Sequence, residues 1–310
     1  MKVIVLGGAG GMAIGGISYL IRYDEVEEIM MADLNKEAAD QAASQFNSPK
    51  IRTMSLNVLD KSRLIEVVKD YDVVLNCVGP FMKFGVPILE AVIEAGVNYV
   101  DICDDHDAAE ELIKLDEKAQ QAGVSALICM GTTPGISNLQ AVDLYNKLDE
   151  THSIKIAWAI TDPPKEDLIG TPLEAIIDNP DALMTEATMD HLYHVTTGDI
   201  PVFKDGDMTG VPAIEYGEWI DFAEPLGRAE SYYIGHAEPT TLAHYLDIKD
   251  FCGCLGSIMP EVFKDIREKS RGHREALYPP KPSHEPLWQA PERWRNRGGW
   301  GGQAVIVEGM

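Results

Sequence analysis

Residues 2–33 constrain this chain more than any other stretch. They read KVIVLGGAGGMAIGGISYLIRYDEVEEIMMAD: an apolar strand, a glycine-packed turn, a helix, a second strand and a closing aspartate. The tight turn is assigned to Gly8, and close backbone approach to Gly10, with Gly11, Met12 and Ala13 opening the helix. Ala13 stands where a third glycine is usual and is still small enough to let helix pack on strand. The helix start offers unpaired N–H groups and the positive end of its dipole to an anion. Asp33, 25 positions after Gly8, can accept the hydroxyls of a ribose, with Leu34 beside it. Strand, turn, helix and acid at this spacing make a dinucleotide-binding βαβ unit, where the glycines alone would be a weak signal.

The stretch between Lys2 and Arg22 carries no charge, so a membrane span has to be weighed. Six glycines interrupt it, and the acidic run Asp24, Glu25, Glu27 and Glu28 comes next without a small-residue cleavage site. A turn and helix fit better than a span or a signal peptide, and no membrane partner is expected. The net charge of −24 argues against a nucleic-acid partner as well, since such a protein must supply cations to displace counterions. An anionic cofactor is not excluded, because backbone dipoles hold it locally. The five cysteines (77, 103, 129, 252 and 254) are odd in number, and the first three fall in or directly after apolar strands. That usage points to a reducing, cytoplasmic setting. Cys252 and Cys254 read as small strand residues rather than a metal site.

After Asp33 the alternation continues. Helices are expected over 35–46, 60–69, 86–95 and 108–122, and strands over 51–55, 73–78, 98–102 and 124–130. Strands this continuously apolar are covered on both faces, so the first half is expected to be a doubly wound parallel sheet of the Rossmann type. Ligands then bind at the carboxyl ends of the strands. From the Gly131–Gly135 turn the pattern changes, and the boundary is set at 1–135 and 136–310. The second part reads as a mixed α/β substrate-binding and dimerisation domain. It has a helix to about Leu148, strands at 153–161 and 229–236, a helical stretch at 172–192, and a hairpin at 201–211. A Pro-, Trp-, Arg- and Gly-rich stretch over 271–302 precedes a strand at 303–308, which needs a neighbour in the second sheet unless the natural chain continues.

Three further stretches carry a resemblance: VLNCVGPFMKFGVPILEAVIEAGVNYVDICDD (74–105), ALICMGTTPGISNL (126–139) and YYIGHAEPTTLAHYL (232–246). With the glycine turn, they make the chain similar to the saccharopine dehydrogenase family, including saccharopine reductases, lysine dehydrogenases and carboxynorspermidine-type enzymes. The resemblance implies hydride transfer at a carbon–nitrogen bond, with NAD or NADP, on an amino acid or its imine conjugate. It also implies a homodimer, and a further C-terminal segment that this sequence lacks. A non-catalytic nucleotide sensor and an enoyl or carbonyl reductase are the rival readings.

The polar residues at strand ends are the candidates. Asn76, Cys77, Val78, Gly79 and Pro80 are expected to line the cofactor, with Phe81 and Tyr99 toward the substrate. Imine reduction needs a proton donor, and Asp101, Asp104 and His106 end the fifth strand; their crowding with Asp105 is expected to raise a carboxyl pKa. Capping of the next helix competes with chemistry for Asp105 and Asp107. Asn138, in the first turn after Pro134-Gly135, lies at a second possible anion site. His191 and His194 share a helix face, and Arg228, His236, Glu238 and Thr240 form a polar group in the second half; substrate contacts are assigned to His191, His194, Arg228 and His236, and no metal is expected. Asp33 and Leu34 favour NAD, whereas Asn35, Lys36 and Arg52 could reach the extra phosphate of NADP.

Overall fold

The computed structural model describes residues 1–161, 191, 194–224, 226–258 and 300–310, which form two compact units, Met1–Gly131 and Thr132–Met310. The division falls four residues before the expected one, because Thr133 in the turn hydrogen-bonds Glu238 of the second unit.

The first unit is a six-stranded parallel sheet in the order β3-β2-β1-β4-β5-β6. Its strands are β1 (Lys2–Leu6), β2 (Glu28–Asp33), β3 (Ile51–Ser55), β4 (Val73–Asn76), β5 (Asn98–Asp101) and β6 (Ala126–Leu127). Val3 to Leu6 are at most 2% exposed, as expected of a central strand covered on both faces. The order reverses between β1 and β4, so their carboxyl ends mark the switch point where ligands bind in such sheets. The intervening helices are α1 (Gly11–Leu20), α2 (Lys36–Ser44), α3 (Lys61–Val68), α4 (Phe81–Ala95), α5 (His106–Ile113) and α6 (Asp116–Ala122).

Several elements differ from the sequence reading. The long helix over 108–122 is two helices, broken at Lys114–Leu115. Helix α4 starts five residues earlier than expected, directly after a cis Gly79–Pro80 bond, and carries Pro87 inside its run. The sixth strand is only two residues long.

The second unit holds α7 (Ile136–Tyr145), α8 (Glu238–Tyr245) and, among the described residues, a seven-stranded mixed sheet. Its strands are β7 (Thr151–Thr161), β8 (Asp199–Lys204), β9 (Asp207–Pro212), β10 (Gly217–Asp221), β11 (Arg228–Tyr233), β12 (Ile248–Ile258) and β13 (Trp300–Gly309). The expected hairpin is β8–β9, turning through Asp205 and Gly206. The terminal strand finds its neighbour in β7, which it pairs antiparallel along ten residues. The sequence reading missed β10 and α8, and of β12 it placed only Cys252 and Cys254 on a strand. On one face Ile154, Ile156, Cys252 and Cys254 form a common core, so the two cysteines are buried strand residues, as read. The expected helix over 172–192 falls outside the described residues except for His191, which is helical.

The glycine turn depends on very short approaches. Gly7, not Gly8, takes the left-handed conformation (φ +72°), and a Cβ there would sit 3.0 Å from the Cys77 carbonyl oxygen. Gly8 is needed for a different reason: its Cβ would lie 2.9 Å from Met31 Cα on β2. Since no side-chain rotation relieves a clash with backbone, Gly8→Ala is expected to destabilise the chain by about 1–3 kcal/mol in urea unfolding. A midpoint equal to the parent's would show that β2 can yield.

Candidate functional site

The turn leaves an open cradle. The Gly7 and Gly8 N–H groups both bond the Ala32 carbonyl, and Gly10 N–H bonds the Gly7 carbonyl, fixing the loop from inside. Helix α1 then begins with no side-chain cap and no acid in its first turn, unlike α2 and α3, whose ends are capped by Asn35 and Asp60. The first-turn amides of Gly11, Met12 and Ala13 therefore have no side chain competing with an incoming anion. Asp33 ends β2 with Oδ2 accepting the Ala9 N–H at 3.1 Å and Oδ1 accepting the Asn35 N–H at 3.0 Å. A pyrophosphate at the α1 start and a ribose at Asp33 fit these residues, and Leu34 beside them is exposed.

The neighbouring strand end is built differently. Asn76 and Tyr99 are fully buried: Asn76 Nδ2 donates to the Tyr99 hydroxyl at 2.9 Å, and Asn76 Oδ1 accepts the Val78 N–H at 3.0 Å. Tyr99 is therefore a core residue that holds the β4 exit, a correction to its assignment as a substrate contact; a side chain 1% exposed has no surface to offer. Cys77 is partly exposed at its position against Gly7, but burial first, and then the Asp101 charge, push its thiol up to about 12, which leaves it a poor nucleophile. Helix α4 has its first amides occupied: Phe81 N–H and Met82 N–H both donate to Asp105 Oδ2, at 3.0 and 3.4 Å. Asp105 is thus a cap, and for α4 rather than for the helix it precedes.

Asp101 is fully buried. Its Oδ1 accepts Cys103 N–H at 3.0 Å and Cys129 N–H at 2.7 Å, tying the loops after β5 and β6 together, while its buried Oδ2 has no hydrogen-bond partner. Cys129 is held there at φ +60°, an unusual conformation for a side-chain-bearing residue. The Asp101 carboxyl is pushed up to about 6, as expected for this cluster, but chiefly by burial rather than by crowding. The two N–H groups and the nearby Tyr99 hydroxyl, which closes no hydrogen bond to Oδ2, oppose the rise, and Asp104 adds a little to it. Asp104 and His106 are among the partly accessible groups of this strand end, with Asp107.

In the second unit the carboxylate of Glu238, fully buried at the start of α8, accepts from His236 Nδ1 at 2.6 Å, from Thr133 Oγ1, and from Ser137 Oγ at 3.2 Å. Burial alone would raise its pKa, but His236 and Thr133 outweigh it and hold the carboxyl below its ordinary value. His236 packs edge-on against His191, ring centroids 5.7 Å apart. Asn138 belongs to the same network through Thr241 Oγ1 at 2.8 Å, where the sequence reading had pointed to Thr240. Ser137 was missed, and Thr133 was read only as part of the turn before Asn138; the signal was the polar run flanking Pro134-Gly135. Arg228 is exposed at the β10–β11 edge, with its guanidinium over Trp219 and beside Asp221, which makes it a surface residue rather than an enclosed clamp. His194 is helical and partly buried.

These geometries carry two expected outcomes. The Asp101 pKa is higher in the folded chain than its ordinary value of 3.8, so the folded state holds the proton more tightly. That stabilisation is complete below about pH 4 and is lost as pH rises through about 6. Asp101→Asn keeps an acceptor for the two N–H groups and should gain on the parent by up to about 3 kcal/mol between those pH values in urea unfolding. Parallel curves would contradict the assignment. Glu238→Gln, which replaces a buried carboxylate that joins His236, Thr133 and Ser137, should cost about 1–3 kcal/mol; an unchanged unfolding midpoint would contradict it.

Known proteins give the same reading of the first unit. The family described as "Saccharopine dehydrogenase NADP binding domain" matches residues 3–127. A carboxyaminopropylagmatine dehydrogenase of Synechocystis is 26% identical over 167 residues, covering 50% of this chain and 41% of that one. A saccharopine dehydrogenase-like oxidoreductase of Rattus norvegicus is 32% identical over 117 residues, covering 37% and 27%. The matches thus span less than half of these relatives' length. Among solved structures, apo saccharopine dehydrogenase (L-Glu forming) from Saccharomyces cerevisiae superposes with a TM-score of 0.58 at 20% identity, over 82% of this chain and 54% of that one, a likeness of fold. Residues 3–127 thus match a saccharopine dehydrogenase NADP-binding domain, and over that part the chain is similar to saccharopine dehydrogenase-like oxidoreductases.

Proposed function

We propose that this chain is an NAD(P)-dependent oxidoreductase that transfers hydride at the carbon–nitrogen bond of an amino acid or its imine conjugate. The observation that carries the reading is the uncapped start of α1 facing the pinned carboxylate of Asp33, at the switch point of a parallel sheet. The first-turn amides of α1 would hold the pyrophosphate, Asp33 the adenosine ribose, and the Cys77–Gly79 backbone the far end of the coenzyme. The bound nicotinamide supplies or accepts the hydride.

The chain's own work is proton handling and placement. A carbon–nitrogen substrate must gain or lose a proton at nitrogen, and Asp104 and His106 are proposed for that role because they remain accessible at the end of β5. Asp101, buried behind them, is proposed as a positioning residue that fixes the β5 and β6 loops. In the second unit, His191, His194 and His236 are proposed to recognise the substrate's charged groups. A homodimer and a cytoplasmic location belong to the same proposal. No helix among the described residues is long and apolar enough to cross a membrane.

The test is oxidation of NADH and NADPH by the full chain with lysine and a panel of keto acids and aldehydes. Amine-dependent turnover is expected, and Asp104→Asn and His106→Gln should each lower kcat by about 100-fold or more while coenzyme binding is unchanged. Turnover of carbonyl or enoyl substrates without any amine would overturn the reaction class.

A further inference from the structure

NAD and NADP differ by one phosphate on the adenosine 2′-oxygen, so the discriminating chemistry lies beside Asp33. Asp33 cannot swing aside freely. Its two oxygens accept the Ala9 and Asn35 N–H groups at 3.1 and 3.0 Å, and turning away would leave both donors unpaired. A 2′-phosphate arriving here meets a fixed like charge, and a protein that accepts it must supply cations in compensation.

Each group near enough in sequence to do so is engaged elsewhere. The Asn35 side chain caps α2, accepting the Ala38 N–H at 3.1 Å. Lys36 is drawn along α2 to both carboxylate oxygens of Asp40, at 2.8 and 2.7 Å, and reaches Thr53 Oγ1 at 3.5 Å. Thr53 in turn donates to Asp40, whose pKa is lowered, first by Lys36 and then by Thr53. Arg52 pairs with Met30, three residues before Asp33, so it lies about 10 Å back along the sheet. Its guanidinium is held by the Pro49 and Ile51 carbonyls at 2.8 and 2.9 Å. Leu34, next to Asp33, is 71% exposed and apolar.

An exposed lysine–aspartate pair is weak as a bond. What decides is the charge count at this edge: Asp33, Glu37 and Asp40 stand against Lys36. Bringing Lys36 to a phosphate takes the cation from Asp40, leaving it the Thr53 hydroxyl, and sets three carboxylates at this edge against a dianion.

We infer that this chain selects NAD(H) over NADP(H), although its residues 3–127 match a domain described as NADP-binding, and that Asp40 is a specificity-determining residue that withholds Lys36 from the 2′ position. The inference rests on the dinucleotide reading of the α1 cradle.

Calorimetric titration of the full chain with NADH and with NADPH tests it. NADH should bind at least about tenfold more tightly. Asp40→Ala, an exposed change whose fold is checked by thermal melting, should improve NADPH binding about three- to tenfold and leave NADH within about twofold. Adding Lys36→Ala should cancel that gain. NADPH binding as tightly as NADH in the parent overturns the selectivity, and an unchanged NADPH affinity in Asp40→Ala overturns the role of Asp40. In both cases the dinucleotide reading stands. Binding of neither coenzyme removes that reading and this inference together.

Discussion

The first unit depends on how closely three pieces of backbone approach one another at the exit of β1. Gly7 lies against the Cys77 carbonyl of the β4 exit, Gly8 against the Met31 backbone of β2, and both donate to Ala32. Side chains at these positions would push β1 from both neighbours. The same closeness aims the first turn of α1 outward and sets Asp33 within bonding distance of Ala9. Packing and ligand geometry are therefore one constraint, not two. A chain that keeps the strands together here necessarily presents the amides.

Much of this was legible in the sequence, because each requirement is local. Glycines in a turn, an apolar strand and a terminal acid are separated by fixed numbers of residues, and right-handed crossovers set the strand order. The assignment of roles within the turn was less legible. Gly8 reads as the turn residue because it opens the glycine pattern, whereas Gly7 takes the left-handed conformation and Gly8 meets a neighbouring strand. That difference depends on β2, which lies 23 residues further along, and no local pattern shows it.

The acidic end of β5 shows the same limit more strongly. Asp101, Asp104 and Asp105 look alike in the sequence but have three different fates. Asp101 brackets two loops from inside, Asp105 caps the start of α4, and Asp104 stays partly accessible. Burial assigns these roles, and burial comes from the packing of elements distant in the chain. In the second unit, His236 and Glu238 were visible as polar residues, but Thr133 and Ser137, about a hundred positions earlier, were not connected to them. The extent of β12 was missed, although Cys252 and Cys254 read as strand residues, because its cysteines and glycines lack the alternation of a half-exposed strand. It is buried on both faces along Cys252–Ser257.

If the amides opening α1 receive a diphosphate while Asp33 receives the adjoining ribose, coenzyme must shield a short and specific set of N–H groups. Backbone hydrogen exchange, followed residue by residue with and without a saturating nicotinamide coenzyme, reads that set. Marked slowing is expected at Gly11, Met12 and Ala13, together with slowing at Ala9 and Asn35, whose amides bond Asp33. Coenzyme binding that protects other parts of the chain and leaves these amides unchanged would contradict it.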